Sequence, residues 1–115
     1  MRTSISADQF MVSPRLEYEG AEPIYNIVVT GATTVTDDAT LEMVLSKNGK
    51  DDTSARTSGS MAVTTSSGDN PIVTTKKITG LVGGEELFIL VRGTVDGILR
   101  TIVTFWLYVK KESGR

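Results

Sequence analysis

Apolar and polar residues alternate in short runs along most of this chain, which is the pattern of β-strands that bury one face. The clearest run is TLEMVLSK at residues 40–47, which places Leu41, Met43 and Leu45 in one phase and Glu42 in the other. Thr and Ser alternate with Val, Ile and Leu elsewhere, and branched side chains of this kind suit a pleated surface. No segment sustains an apolar repeat of 3.6 residues, so the sequence predicts little helix.

The runs divide the chain into an N-terminal arm and a single domain. Residues 1–14 form the predicted arm or first strand, which ends at Pro14, and residues 15–115 form the predicted domain. The predicted strands of the domain cover residues 15–19, 24–30, 40–47, 61–65, 71–79, 87–92 and 98–109. About seven strands separated by turns over roughly 100 residues predict an all-β sandwich.

Turn signals connect these strands. Asn48-Gly49 follows the strand at 40–47 and predicts a type I′ hairpin, because both central positions of that turn need a positive φ. The stretch at residues 50–60 is too polar for a buried strand, so we expect an edge strand or a loop there. Residues 80–85 (GLVGGE) form a predicted sheet corner, with Leu81 tucked under the sandwich.

The most informative segment is residues 78–111, in which two long predicted strands meet at Asp96-Gly97. Asp-Gly between apolar runs is a strong hairpin signal. Apolar residues occupy both alternation phases of these strands, so both faces of the hairpin need cover. A small domain has one core to offer one face, and the sequence therefore predicts that the other face meets a partner.

The register of this hairpin has two possible forms. A two-residue turn would place Val91 opposite Ile102. A three-residue turn, with the glycine as the left-handed bulge residue, would place Val91 opposite Thr101, and we prefer it because it gathers aliphatic side chains on one face. The preferred form also sets Arg92 opposite Arg100, and such a like-charge pair either counts against this register or implies an acidic neighbour.

Either register leaves an outer apolar face on the hairpin. The candidate interface residues are Phe88, Leu90, Ile102, Trp106 and Tyr108 of the hairpin, with Phe10 and Met11 of the arm. Aromatic side chains are large anchors and are enriched at interface centres. The competing interpretation makes Trp106 the core tryptophan of the sandwich. Part of the cover could come from the arm or from a second copy of the chain.

Composition excludes several classes of function. The 115 residues carry 12 basic and 14 acidic groups and no Cys or His. The basic residues form no cluster larger than Lys76-Lys77 and Lys110-Lys111, so we expect no nucleic-acid partner. Without Cys and His the sequence predicts no disulfide, no zinc site and no Ser-His-Asp or Cys-His catalysis. No apolar run reaches membrane-spanning length and the first ten residues lack the apolar core of a secretory signal, so we expect neither membrane insertion nor secretion.

Candidate chemical motifs fail on spacing. Asp37-Asp38 and Asp51-Asp52 do not repeat acidic residues at alternate positions as a calcium loop does, so no metal site is expected. The glycines at residues 80–84 are not followed by the Lys-Ser/Thr and helix of a phosphate-binding loop. We therefore expect a protein without cofactors that is not an enzyme.

Residues 78–97 (ITGLVGGEELFILVRGTVDG) resemble the stretch that joins the last strands of immunoglobulin-like and fibronectin type III-like domains. The tyrosine often found on the re-entrant strand is replaced here by Leu87 or Phe88. The wider layout, with the LSKNGKDDTS hairpin, a Ser/Thr-rich middle and a last strand ending in VKKE, resembles small immunoglobulin-like structural proteins of tailed-phage virions. The likeness covers about residues 24–111 and implies an immunoglobulin-like sandwich of about seven antiparallel strands.

The resemblance implies a non-enzymatic virion protein of the fibre–tail adaptor, neck or capsid decoration kind. Such a protein would be made in the host cytoplasm and would dock on the capsid, neck or tail through contacts with other virion proteins or copies of itself, as a homo-oligomer within the particle. The alternative from another class is an immunoglobulin-like module that binds carbohydrate or a cell surface. That alternative predicts exposed aromatic residues on loops.

Overall fold

Two β-sheets pack against each other in the computed structural model, which describes residues 2–6, 11–65 and 70–111. In chain order the elements are β1 (Arg2–Ser6), β2 (Arg15–Tyr18), β3 (Ile24–Val28), β4 (Glu42–Lys47), β5 (Lys50–Asp51), the short helix α1 (Thr53–Arg56), β6 (Thr57–Ser58), β7 (Ala62–Thr64), β8 (Ile72–Thr74), β9 (Lys77–Ile78), β10 (Glu86–Val95) and β11 (Ile98–Lys110). The four-stranded sheet has the order β1-β3-β8-β7, and the five-stranded sheet has the order β2-β11-β10-β4-β5.

The predicted all-β sandwich is confirmed. β3 and β8 are antiparallel neighbours in one sheet, and β10 is antiparallel to both β11 and β4 in the other. The first two strands differ from the antiparallel pattern, because β1 runs parallel to β3 and β2 runs parallel to β11. The N-terminal part of the chain therefore contributes one edge strand to each sheet.

The core lies between the sheets and is filled by one alternation phase of each long strand. Ile89 and Phe105 of the five-stranded sheet are fully buried, as are Tyr25 and Ile27 of the other sheet. The rings of Tyr25 and Phe105 meet edge to face across the core, with centroids 5.3 Å apart. This contact joins the two sheets.

Two polar groups, those of Tyr25 and Glu17, are buried in this core and bind each other. The Tyr25 hydroxyl donates a hydrogen bond to Glu17 Oε2 at 2.7 Å, and both residues are buried. Burial, followed by this hydrogen bond to Glu17, raises the pKa of Tyr25 far above its usual value. The tyrosine therefore stays neutral and acts as the donor that the buried carboxylate of Glu17 needs.

The closing hairpin follows neither predicted register along its whole length. Asp96 and Gly97 both have positive φ, and Val95 pairs with Ile98, so the turn has two residues. A β-bulge then leaves Ile102 as the extra residue of β11, since Arg92 pairs with Thr101 and Val91 with Val103. The preferred three-residue turn is wrong, and the expected Arg92–Arg100 pair does not form. Arg92 instead donates from Nε to Glu42 on β4.

The corner before β10 packs against the end of β11. Leu81 is buried beneath the sandwich, as predicted, and Gly84 N–H donates to the carbonyl of Val109 at 2.7 Å. At Gly83 a Cβ atom would lie 2.8 Å from Lys111 Cα and 2.9 Å from the Lys111 backbone nitrogen. Only a residue without a side chain allows the two backbones to approach this closely.

We therefore expect Gly83→Ala to lower the free energy of unfolding by about 1–3 kcal/mol, because the added methyl group overlaps backbone atoms that cannot move aside freely. Val82→Ala is the matched control, since the Val82 side chain is exposed at the same corner. Urea unfolding followed by tryptophan fluorescence measures both variants. Equal stabilities of the two variants would contradict the close approach at Gly83.

Candidate interaction surface

The five-stranded sheet carries apolar side chains on the surface that faces away from the core. Successive strand residues point to opposite faces, so the alternation that buries Leu87 and Ile89 turns Phe88 and Leu90 outward. We call this surface the outer face. Its apolar residues are Met11, Leu16, Tyr18, Val44, Phe88, Leu90, Trp106 and Tyr108.

The centre of the outer face is an aromatic pair. Phe88 on β10 lies directly opposite Trp106 on β11, and their rings meet with centroids 5.0 Å apart at an interplanar angle of 60°. Trp106 remains 38% exposed, whereas the neighbouring Phe105 is fully buried. The pair is held in place by the strand register and still presents its ring surface to solvent.

Further apolar residues surround the pair on both sides. Leu90 lies between Val44 of β4 and Thr104 of β11, and Tyr108 lies beside Leu16 of β2. Leu16 and Tyr108 are exposed, while Leu90 and Val44 are half-buried. The apolar surface is therefore continuous across four neighbouring strands.

Met11 joins the outer face through the segment that precedes β2. It forms an isolated parallel bridge with Thr104, whose hydroxyl lies 3.6 Å from Met11 Sδ, and its side chain is exposed. Val12 N–H donates to the Thr104 carbonyl at 3.1 Å. The arm thus adds a short parallel segment at the margin of the five-stranded sheet.

The structure brings most of the sequence-predicted interface residues together. Phe88, Leu90, Trp106, Tyr108 and Met11 lie on the outer face, so Trp106 is not the core tryptophan of the sandwich. Phe10 lies outside the described residues.

The assignment of Ile102 to the outer face is wrong. Ile102 is the bulge residue, and it is buried together with the next residue, Val103. Two consecutive side chains can turn inward here because a bulge interrupts the strict alternation of the strand.

Sequence reasoning missed Leu16, Tyr18 and Val44 as members of the outer face. Val44 interrupts the alternation between Met43 and Leu45, and an apolar residue in the polar phase of an otherwise amphipathic strand is a usable signal. Leu16 gave a weaker signal. Leu16 lies on the outer face because β2 pairs with the end of β11, and this long-range pairing is not visible in the sequence.

Charged groups border the outer face at its two ends. Glu86 lies beside Tyr108 at one end of β10, and Arg92, bound to Glu42, lies at the other. A shallow groove of about 370 Å³ opens beside the aromatic pair and is lined by Ser46, Asn48, Gly49, Glu86, Phe88 and Trp106. The surface therefore combines an apolar centre with a polar margin, which is the anatomy of a protein interface.

The acidic residues Asp38 and Asp51 stabilise the turns in which they lie. Asp38 accepts hydrogen bonds from the backbone and hydroxyl of Thr40, and Asp51 does the same for Thr53. These bonds, that of the Thr hydroxyl first, hold the pKa of each carboxyl below its usual value. Across the described ranges, Asp and Glu residues form no group of three or more that could hold a metal ion, and no helix is long and apolar enough to cross a membrane.

Comparisons with models of known protein families, with curated proteins and with solved structures gave no match. The assignment of a function therefore depends on the residues of this chain and on their geometry.

Proposed function

We propose that this chain is a non-enzymatic structural protein of a tailed-phage virion, which docks on the capsid, neck or tail through its outer face. The observation that carries the proposal is the apolar surface centred on Phe88 and Trp106, which the fold presents outward. A strand pair that is apolar on both faces is a poor solution for an isolated domain, because one face must remain in water. When a partner covers this face, its apolar side chains are no longer exposed to water.

The chemistry of the outer face suits docking on protein. Trp106 and Tyr108 are each 38% exposed and are anchored on the sheet, so little side-chain freedom is lost when a partner covers them. The resemblance to small structural proteins of tailed-phage virions supports a particle as the setting. In a particle, repeated copies let weak single contacts hold through avidity.

The test is the protein composition of purified particles. Particles produced from the genome that encodes this chain are purified on density gradients and analysed by mass spectrometry, beside particles from a genome in which its gene is deleted. We expect the chain at a fixed stoichiometry in the first preparation and a missing feature in electron micrographs of the second. Its absence from purified particles would refute the proposal.

Trp106→Ala is expected to prevent incorporation into particles and to lower the free energy of unfolding by only about 1–2 kcal/mol. The reason is that the ring lies on the outer face and makes its main described ring contact with Phe88. Incorporation is measured by gradient co-sedimentation and stability by urea unfolding. Lys50→Ala, at an exposed position on β5, is the control that should leave both unchanged. A Trp106→Ala chain that folds and is incorporated normally would show that the outer face is not the docking surface.

A second candidate is a carbohydrate-binding module, and the groove beside the aromatic pair favours it. The rings of Phe88 and Trp106 offer a stacking surface for a sugar. The neighbouring Ser46, Asn48 and Glu86 offer hydrogen-bonding groups. The aromatic residues lie on a sheet and not on loops, where this alternative had predicted them. A glycan array followed by calorimetric titration separates the two candidates, since specific binding that Trp106→Ala abolishes would favour the module.

A further inference from the structure

We infer that the outer face pairs with the same face of a second copy of this chain, with the two-fold axis running across the strands. The inference rests on the proposed use of the outer face for docking and names one partner for it. It depends on how the charges are placed around the apolar centre and on how much surface that centre offers.

The two ends of β10 carry opposite charges on the outer face. Glu86 and Arg92 occupy the same phase of the strand as Phe88 and Leu90, which lie between them. Glu86 and Arg92 are both exposed. One strand therefore presents an acidic end, an apolar middle and a basic end toward the solvent.

The position of these charges selects one orientation of the pair. A two-fold axis that crosses the strands at the level of Ile89 turns each strand end for end, so Glu86 of one copy meets Arg92 of the other, and Phe88 meets Leu90. An axis that runs along β10 would instead set Glu86 against Glu86 and Arg92 against Arg92. Opposite charges attract and like charges repel across an interface, so the first orientation is favoured.

Glu42 makes the arrangement more specific. Arg92 already uses its Nε–H to bind Glu42 within the same chain, which leaves the terminal nitrogens of the guanidinium for Glu86 of the second copy. Each end of the interface would then hold Arg92 between two acids, Glu42 of the same copy and Glu86 of the other. Aligned sheets pack about 10 Å apart with a rotation of roughly 30°, which long side chains such as these can bridge.

The size of the outer face predicts a weak pair. The apolar strip and its charged ends cover four strands over the length from Glu86 to Arg92, or roughly 450 Å² in projection on each copy. Two copies would then bury roughly 900 Å² in total, which is below the usual range of stable interfaces and in the range of weak, transient ones. We expect a dissociation constant on the order of 10 µM, so that the pair forms at high local concentration and dissociates on dilution.

The experiment is sedimentation velocity of the full chain over a range of concentrations, with two charge-reversal variants. In a dimer of two Glu86→Arg chains, the introduced arginine of each copy faces Arg92 of the other copy. The second variant combines Glu42→Lys with Arg92→Glu, so that its internal ion pair is kept with reversed sign while Glu86 now faces the introduced glutamate. Each variant alone is expected to dimerise at least about tenfold more weakly than the original chain. An equimolar mixture of the two restores both contacts and is expected to dimerise like the original chain.

A cross-linking measurement supplements sedimentation if a charge variant folds poorly. The chain contains no cysteine, so single substitutions give unique attachment points. A short bis-maleimide is expected to join Glu86→Cys chains to Arg92→Cys chains and to join neither variant to itself. Circular dichroism verifies that each variant is folded.

Two results would overturn the inference: an original chain that stays monomeric at all concentrations, or a mixture that dimerises no better than its components. Either result, combined with particle incorporation that Trp106→Ala abolishes, would leave the proposed function standing with a different partner on the outer face. A dimer with the expected charge dependence in a chain that is absent from particles would support the pairing and refute the virion assignment.

Discussion

Phe105→Ala is expected to lower the free energy of unfolding by about 3–5 kcal/mol, which is a large part of the total stability of an ordinary domain. Phe105 is fully buried in the centre of the five-stranded sheet, and its ring packs edge to face against Tyr25 of the opposite sheet. Its removal leaves a cavity between the sheets and takes away their aromatic contact. Pairing with β10 on one side and the Val12–Thr104 hydrogen bond on the other limit the movement of the backbone into the space.

Trp106→Ala is the matched comparison for this effect, because it removes a larger ring from the adjacent position of the same strand. Urea unfolding followed by far-ultraviolet circular dichroism suits both variants, since it does not depend on the tryptophan. Phe105→Ala should cost about 2 kcal/mol more stability than Trp106→Ala. A loss of stability in Trp106→Ala equal to that in Phe105→Ala would place both rings in the core and remove the basis for the outer face.

Glu85→Gln is expected to lower the free energy of unfolding by about 3 kcal/mol at neutral pH. Glu85 is buried at the corner before β10, where Arg56 binds both carboxylate oxygens at 2.7 and 2.9 Å. Lys47 Nζ lies 3.0 Å from Oε2, and the Val82 N–H donates to Oε1 at 2.7 Å. The carboxylate thus ties α1, β4 and the corner together, and an amide cannot accept from all of these donors. Glu86→Gln, an exposed neighbour, is the control.

The same group gives the protein a defined dependence on acid. Hydrogen bonds from Arg56, followed by those from Val82 and Lys47, lower the pKa of Glu85 from 4.5 to about 2 against the opposing effect of burial. Because the folded-state pKa lies below the unfolded one, the stabilisation is fully present above about pH 4.5 and is lost as the pH falls toward 2. Urea midpoints between pH 2 and 7 should show this decline in the original chain and a shallower one in Glu85→Gln. Parallel curves for the two proteins would contradict the role of Glu85.

Residue alternation was sufficient to predict the individual strands near the tight turns. The strand at residues 40–47 and the turn at Asn48-Gly49 are observed as β4 and the reversal into β5, with positive φ at both turn residues. Both features depend on residues close in sequence. Alternation sets which face of a strand is apolar, and turn chemistry sets where the chain reverses.

The bulge at Ile102 could not be predicted in this way. Its neighbours in sequence permit a regular hairpin in either register, and the alternation favoured a three-residue turn that does not form. The bulged register buries both Ile102 and Val103, while Thr101 pairs with Arg92. Burial of both side chains in the core therefore favours it, and that core is formed by residues far apart along the chain.

The residues of the outer face were likewise predicted from the sequence only in part. The sequence alone showed that the last two strands are apolar in both phases, and it identified Phe88, Leu90, Trp106 and Tyr108 as residues of the second phase. It could not place Leu16 beside Tyr108, because that contact requires β2 to join the five-stranded sheet, while β1 joins the other, and to run parallel to the end of β11. Nor could it show that Arg92 binds Glu42 on β4.

By itself, then, the sequence determined an all-β domain, its tight turns and an excess of apolar surface in its final hairpin. These properties follow from the period of two residues in a strand and from the φ angles that Gly and Asn accept. The tertiary structure decided the bulge, the parallel N-terminal strands and the grouping of charges around the aromatic pair. Those features depend on which strands become neighbours, and that choice minimises the free energy of the whole core and not of any one segment.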